Sequence, residues 1–222
     1  VAGAPLVLLV SHWTSRLTDE TDAKRSAYAQ AIYAAFLEHY RADPAADVLI
    51  AGDFNDEPDD PSLRDGLHVT ADADRVRAGG PRPPLLDLMA GKDPDQLGTY
   101  YYNGRWQILD HIVVAPGLLD PAGWQALPET ARTENPDALR TGRSRRPLRF
   151  GGPKNQNPRG PSDHFAVTIR LRVGQPEPRV SRQGAKEDTQ RRKGDRKLGH
   201  FSPISTADRG PNGSLPRRGG TR

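Results

Sequence analysis

Apolar residues along this chain fall in short runs of two kinds. Pro5–Ser11 (PLVLLVS) and Asp47–Gly52 (DVLIAG) are continuous and of strand length, the pattern of strands buried on both faces. Between them Ala27/Tyr28, Ala31/Ile32 and Ala35/Phe36 recur at helical spacing, so Thr18–Arg41 reads as a helix that Pro44 closes. Strand, helix, strand in that order predicts a layered α/β arrangement. Asp56–Asp74 is polar and turn-rich, and Pro84–Ala90 (PLLDLMA) reads as a short helix. Thr99–Tyr102 and Trp106–Val114 read as two strands around the hairpin signal Asn103-Gly104. Trp124–Leu127 is a candidate short strand, and residues 131–161 read as a long irregular loop rich in Arg, Gly, Pro and Asn. Phe165, Val167, Ile169, Leu171 and Val173 alternate as in a half-buried strand. From Gly174 onward there is little to bury, and residues 174–222 are expected to be a disordered basic tail.

Charge sharpens this division. The net charge is +4, but residues 174–222 hold 12 Lys/Arg against 5 acids, which is +7 and leaves −3 on residues 1–173. The pI of about 9.5 therefore belongs to the tail, and the folded part is not a basic nucleic-acid binder by composition. The 222 residues suit one domain with a real core. The absence of cysteine excludes disulfides, thiolate metal sites and cysteine nucleophiles. No stretch has the length of a membrane span. Val1–Val10 lacks the basic flank and cleavage pattern of a signal peptide, so it reads as a buried strand, and the first residue is Val rather than Met.

Four short motifs sit in or at the ends of these strands: Ser11-His12-Trp13, Gly52-Asp53-Phe54-Asn55-Asp56, Leu109-Asp110-His111 and Ser162-Asp163-His164. Hydrolysis of a phosphate ester needs a hard cation on oxygen ligands, a base that works near neutral pH, a carboxylate that fixes that base, and donors for the charge on phosphorus. The motifs supply these groups at strand ends, where sites cluster in layered α/β folds. Each motif alone has a plainer reading. Gly52–Asn55 can be a simple turn, Asp163-His164 a turn with a surface histidine, Asp110 one half of a structural pair, and His12 a structural residue. His111 points to the opposite face from Asp110 by strand alternation and reads as structural. Trp13 and Trp106 can stack bases or fill the core, and core packing is the simpler account.

Taken together, GDFND (Gly52–Asp56), the LDHIVV strand (Leu109–Val114) and PSDHFAV (Pro161–Val167), supported by SHWTSR (Ser11–Arg16), resemble the endonuclease/exonuclease/phosphatase superfamily, which is deoxyribonuclease I-like. The resemblance covers about residues 5–173. It implies a four-layer αββα sandwich of two mixed β-sheets flanked by helices, over a domain at residues 1–173. It implies that Asp53 orients or activates the attacking water, that Asn55 holds a phosphate oxygen, and that His164 is the catalytic histidine paired with Asp110. It also implies that His12 contacts the scissile phosphate or assists the leaving group, that Asp163 lies near the metal with Asp53, and that the cofactor is Mg²⁺ or Mn²⁺. The family's strands bearing an Asn and a metal-binding Glu come before the strand that holds His12. Only eleven residues precede His12 here, with neither type among them, so an N-terminally truncated domain is expected.

Arg140, Arg143, Arg145, Arg146, Arg149, Lys154 and Arg159 crowd the segment before Ser162. They form either a phosphate-contacting surface, with Arg143, Arg145, Arg146 and Arg149 as its centre, or a solvated basic loop. The expected activity is metal-dependent hydrolysis of phosphodiesters by direct water attack, most simply by a nuclease on nucleic acid. The alternatives are a phosphatase of small or lipid phosphates and an inactive fragment that only binds phosphate or nucleic acid.

Overall fold

The structure, a computed structural model, describes residues 5–18, 21–150 and 160–173. The expected disordered tail, together with Lys154 and Arg159, lies outside the described residues. The strands and helices are β1 (Val7–Val10), α1 (Ala23–Ala42), β2 (Val48–Asp53), β3 (Val69–Thr70), α2 (Ala73–Ala78), β4 (Leu85–Asp87), α3 (Pro94–Leu97), β5 (Tyr100–Tyr102), β6 (Arg105–Gln107), β7 (Asp110–Val114), β8 (Trp124–Glu134), β9 (Arg140–Thr141), β10 (Arg146–Pro147) and β11 (Ala166–Val173).

A five-stranded mixed sheet in the order β1-β2-β7-β4-β3 forms the centre. Its residues alternate between two cores. Val48 and Ile50 of β2, Val113 of β7 and Leu85 of β4 face α1, where Ala29, Tyr33 and Phe36 are buried. Leu49 of β2, Ile112 and Val114 of β7 and Leu86 of β4 face the antiparallel pair β8–β11, which contributes Ala126, Ala131, Val167, Ile169 and Leu171. The result is a helix layer, a mixed sheet and a second sheet, three of the expected four layers among the described residues. The alternation expected of residues 165–173 places its apolar side in this second core, although a bulge between Thr168 and Arg170 interrupts the pairing with β8.

Several sequence expectations need correction. β1 is not buried on both faces: Leu8 is 58% and Val10 is 77% exposed. β1 is an edge strand, and Leu8 stands opposite Leu49 on the face that β8–β11 covers further in. Residues 84–90 hold the strand β4 (Leu85–Asp87) and the turn after it rather than a helix. Leu85 and Leu86 each enter a different core, so an apolar run without period marks a central strand here. The expected strand over 106–114 breaks into β6 and β7. β8 runs on to Glu134, and residues 140–147 form the small antiparallel pair β9–β10, so the part of the expected loop up to residue 147 carries regular structure. Its pairing partners are distant or polar and leave no apolar alternation to read. On α1 the buried stripe includes Arg25, Ala29, Tyr33 and Phe36, while Tyr28 is 41% exposed. Burial of Arg25, whose Nε lies 2.9 Å from Asp56 Oδ1, goes with this rotation of the stripe.

Two features of the sheet fix the motifs in place. Gly52 brings β2 against the chain leaving β1, and a Cβ there would run into the Ser11 carbonyl oxygen. His111 is fully buried between two acceptors, with Nδ1 2.8 Å from Asp87 Oδ2 and Nε2 3.0 Å from the Asp56 carbonyl oxygen. Burial pushes its pKa down, but the charge and hydrogen bond of Asp87, with the Asp56 carbonyl, outweigh this and hold it above its ordinary value.

Two outcomes are expected. Gly52→Ala destabilises the protein by about 1–3 kcal/mol through overpacking, measurable as a lowered urea midpoint. His111→Ala strands the Asp87 carboxylate and costs about 3–5 kcal/mol. The folded protein holds the His111 proton more tightly than the unfolded chain. The pair's contribution is therefore complete below the unfolded histidine value of about 6.5 and is lost as pH rises through the raised folded value. The urea midpoint of the wild type should fall on going from mildly acidic to alkaline buffer, and that of His111→Ala should fall less.

Candidate active site

β2 and β7 pair antiparallel in a register that sets Asp53 opposite Asp110. Directly opposed residues share a face, so the pairing alone places two carboxylates side by side at one end of the sheet. β11 completes the group. His164 lies one residue after Asp163 and two before the strand begins, and it makes an isolated antiparallel bridge to Tyr100. Its Nδ1 is 2.7 Å from Asp110 Oδ2, and its Nε2 is 3.8 Å from Asp53 Oδ2. His12, which follows β1 at the other flank of β2, brings its Nε2 to 3.5 Å from the same Asp53 oxygen.

Backbone contacts lock this geometry. The fully buried Thr99 accepts from the amides of Leu109 and Asp110 through its Oγ1, and its carbonyl accepts from Phe165 N. One residue thus ties the Asp110 strand to the His164 segment. Ser162 Oγ accepts from His164 N at 3.0 Å. Asn55 is left-handed (φ 53°), a conformation that Asn tolerates, and its amide N donates to Asp53 Oδ1 at 2.9 Å. Its Nδ2 donates to the Trp13 carbonyl at 3.0 Å, which leaves one of its two N–H bonds for a ligand.

These residues line one cavity of about 680 Å³, with His12, Asp53, Asn55, Asp110, Asp163 and His164 all on its wall. The sequence-derived set therefore converges, with three refinements. Asp163 is exposed and stands outside the tight cluster, which is Asp53, Asp110 and His164. His12 is 75% exposed and adjoins this cluster from solvent. Arg143, Arg145 and Arg146 do not line the cavity, and Arg145 is paired with Asp137. Arg149 does not line it either, but its guanidinium carbon is 5.4 Å from the ring centre of Tyr100, which does. Trp13 is 1% exposed and stacks on Phe54 at 4.4 Å, and Trp106 packs against Phe165. Both tryptophans serve packing.

Sequence reasoning missed Thr99, Tyr100 and Arg16. The Tyr100 ring lies 4.6 Å from that of His164. Arg16 donates to the Asn55 carbonyl and to Asp60 Oδ2, each at 2.7 Å, and bridges the SHWTSR and GDFND motifs. The acidic run after Asn55 (Asp56, Glu57, Asp59, Asp60) was the available signal for such a partner.

Electrostatically the cluster is strained in one direction. Burial, followed by the charge of Asp110, drives the Asp53 pKa up, against the lowering effects of His164, Asn55 N–H and His12. For His164, burial lowers the pKa, but the Asp110 hydrogen bond and charge, with Asp53 and Asp163, raise it overall. Asp53, Asp110 and His164 offer ligand atoms within 4.8 Å of one another. A hard cation bound through one or two carboxylates, with water and substrate oxygens completing its shell, fits such a donor set and would relieve the Asp53–Asp110 repulsion.

Among curated proteins none matches the chain. Solved structures similar to it include truncated TDP2 of Caenorhabditis elegans, with 19% identity over 75% of this chain and 54% of that one at a TM-score of 0.45. A mannosyl-6-phosphatase of Bacteroides thetaiotaomicron shares 17% identity over 78% of this chain and 53% of its own, at 0.46. An endonuclease/exonuclease/phosphatase family protein of the same organism shares 19% over 67% and 45%, at 0.40. The chain thus spans about half the length of these structures. The profile of the Endonuclease/Exonuclease/phosphatase family matches residues 1–173, and the chain belongs to that family.

Proposed function

We propose that this protein is a divalent-metal-dependent phosphoesterase that hydrolyses phosphodiester bonds by direct attack of water, acting as a nuclease. The observation that carries the reading is the placement of Asp53 between two histidines, one of them anchored by Asp110. Asp110 accepts a hydrogen bond from Nδ1–H and so turns His164 Nε2 toward Asp53 and the cavity, where that nitrogen holds a proton against a phosphoryl oxygen. Asp53 accepts a proton from the attacking water. The remaining Asn55 N–H binds a second phosphate oxygen, and His12, at the solvent side, meets the leaving group. Mg²⁺ or Mn²⁺, held by Asp53 with Asp110, would supply electrophilic stabilisation of the phosphoryl oxygens. Asp163, at the mouth, is an outer water-mediated contact.

The diester preference rests on the surroundings of the cavity. β9–β10 carries Arg143 and Arg146, both exposed, and β10 packs beside β5, the strand of Tyr100. Exposed guanidinium groups beyond the cavity wall, with Arg149 against the Tyr100 ring, suit a chain of phosphates better than a single one. No helix among the described residues is long and apolar enough to cross a membrane. The monoesterase reading and the inactive reading are decided by assay.

Purified protein should hydrolyse an activated phosphodiester in Mg²⁺ or Mn²⁺ faster than an activated monoester. Turnover should vanish in EDTA and fall about 10²–10⁴-fold in His164→Ala. A monoester preference would assign a phosphatase, and no turnover from demonstrably folded protein would assign an inactive member. Asp53→Asn gives a second, two-sided readout. A carboxylate with a raised folded pKa gives stability below its unfolded value, and this is lost as pH rises through the folded value, so ionised Asp53 burdens the metal-free fold at neutral pH. The variant should lose turnover by about 10²–10⁴-fold and gain about 1 kcal/mol of stability in EDTA. Unchanged turnover would remove Asp53 from the mechanism.

A further inference from the structure

At the other end of the central sheet lies a second concavity that the proposed chemistry does not use. It is about 300 Å³ in volume and is lined by Arg64, Asp65, His68, Val69, Arg75, Arg82 and Pro84. The register fixes its remoteness. Leu86 stands opposite Val114, the far end of β7 from Asp110, and Val69 stands opposite Leu85, one step further from Asp110. The length of β7, on the order of 14 Å at strand rise, separates this concavity from the Asp53–Asp110 end.

Its charges are unbalanced. Asp65 is consumed by Arg64 in a two-point pair, Nε to Oδ1 at 2.9 Å and Nη2 to Oδ2 at 2.6 Å. Arg75 has no hydrogen-bond or ion-pair partner for its guanidinium among the described residues. Arg82 is steadied by a neutral group instead of a carboxylate, with its Nη2 donating to His68 Nε2 at 2.8 Å. The concavity therefore carries two guanidinium charges that no carboxylate among its lining residues neutralises.

The arrangement is also held in place. His68 is a non-glycine residue in the left-handed region, at φ 58°, a conformation that costs on the order of 1 kcal/mol and persists where the surroundings dictate it. That conformation lays the imidazole on the Tyr33 ring at 4.5 Å, with the Tyr33 hydroxyl donating to the Pro83 carbonyl at 3.0 Å. The ring that supports Arg82 is thus fixed by the core side of α1 and by the chain entering β4. Planar, pre-positioned guanidinium groups recognise tetrahedral oxyanions through paired N–H bonds.

We propose that Arg75 and Arg82, with His68 and Arg64 around them, form a second anion site that binds a phosphate group, either inorganic phosphate or the terminal phosphate of a small monoester. The volume is that of a small-molecule site, and the Arg64–Asp65 pair closes one side, which suits a compact anion over an extended phosphate chain.

The test is a titration of the full chain in EDTA with inorganic phosphate and, separately, with glycerol phosphate, followed by amide chemical shifts and by the His68 ring resonances. Chloride at equal ionic strength controls for screening. The expected result is saturable shifts in residues 64–84 that are distinguishable from any at Asp53, Asn55 and His164. Affinity should fall about tenfold in Arg82→Gln, as for loss of one charge-assisted hydrogen bond, and the response should be lost in the Arg75→Gln/Arg82→Gln double variant. Both positions are exposed, so the fold should persist, which unchanged far-UV circular dichroism checks. Saturation by phosphate alone would identify the free anion as ligand, and tighter binding of glycerol phosphate a monoester. Shifts confined to the Asp53 end, shifts matched by chloride, or equal affinity in the double variant would each overturn the proposal. Hydrolytic activity is not part of this readout, so the test stands whichever way the phosphoesterase assay falls.

Discussion

The antiparallel register of β2 and β7 is the constraint on which the site depends. It sets Asp53 directly across from Asp110, and like charges in that relation disfavour the sheet. The strands hold this register because the rest of it is right for packing: Leu49 opposes Val114, Ile50 opposes Val113 and Ala51 opposes Ile112, each pair belonging to a buried face. A slip of one residue would turn every one of these side chains to the wrong core. Hydrophobic burial along the strands thus maintains an unfavourable electrostatic contact at their end. That contact is one a bound cation would relieve, and its two carboxylates raise the proton affinity of His164.

The same strand carries a second histidine–carboxylate pair with the opposite use. Asp110 and His111 are neighbours and so face opposite sides of the sheet. Asp110 turns to a solvent-connected cavity, and His111 turns into the core against Asp87 and the Asp56 carbonyl. The inner pair is enclosed by Phe54, which stacks on His111 at 5.3 Å and on Trp13 at 4.4 Å. This column links three of the four motifs. Trp13 follows His12, Phe54 lies between Asp53 and Asn55, and His111 follows Asp110. In each motif the polar residue reaches the cavity while its aromatic neighbour is fixed in the interior, so the aromatic members keep the cavity-lining groups in register.

What could be read beforehand follows from how local the information is. Asp53, Asn55, Asp110 and His164 stood out because each is a polar residue at or within an apolar strand run, where burial without purpose is costly. His111 could be separated from Asp110 by alternation alone. Thr99 could not be found this way. A threonine in a β-rich stretch is unremarkable until Leu109, Asp110 and Phe165 come from elsewhere to share its oxygens. Residues 84–90 were misread because a short apolar run has no period when both faces are buried. The length of β8 and the β9–β10 pair depend on partners distant in the chain or too polar to signal. Burial of Leu8 and Val10 was over-read because nothing local distinguishes an edge strand from a central one.

Arginine placement separates support from recognition in this fold. Arg25 is 1% exposed and sits against the equally buried Asp56, a charge that would be costly to leave alone in the core. Arg16 closes over the same acidic run from the cavity side, reaching Asp60 and the Asn55 carbonyl. Both are bound to carboxylates and shape the loop that presents Asp53 and Asn55. Arg75 and Arg82 are of the other kind: neither has an acid to satisfy it, and Arg82 rests on the imidazole of His68, which packs on the Tyr33 ring. Their meeting in one small concavity, whose one lining acid is taken by Arg64, is a property of the architecture. It puts recognition of a second anion at the opposite end of the sheet from the proposed chemistry.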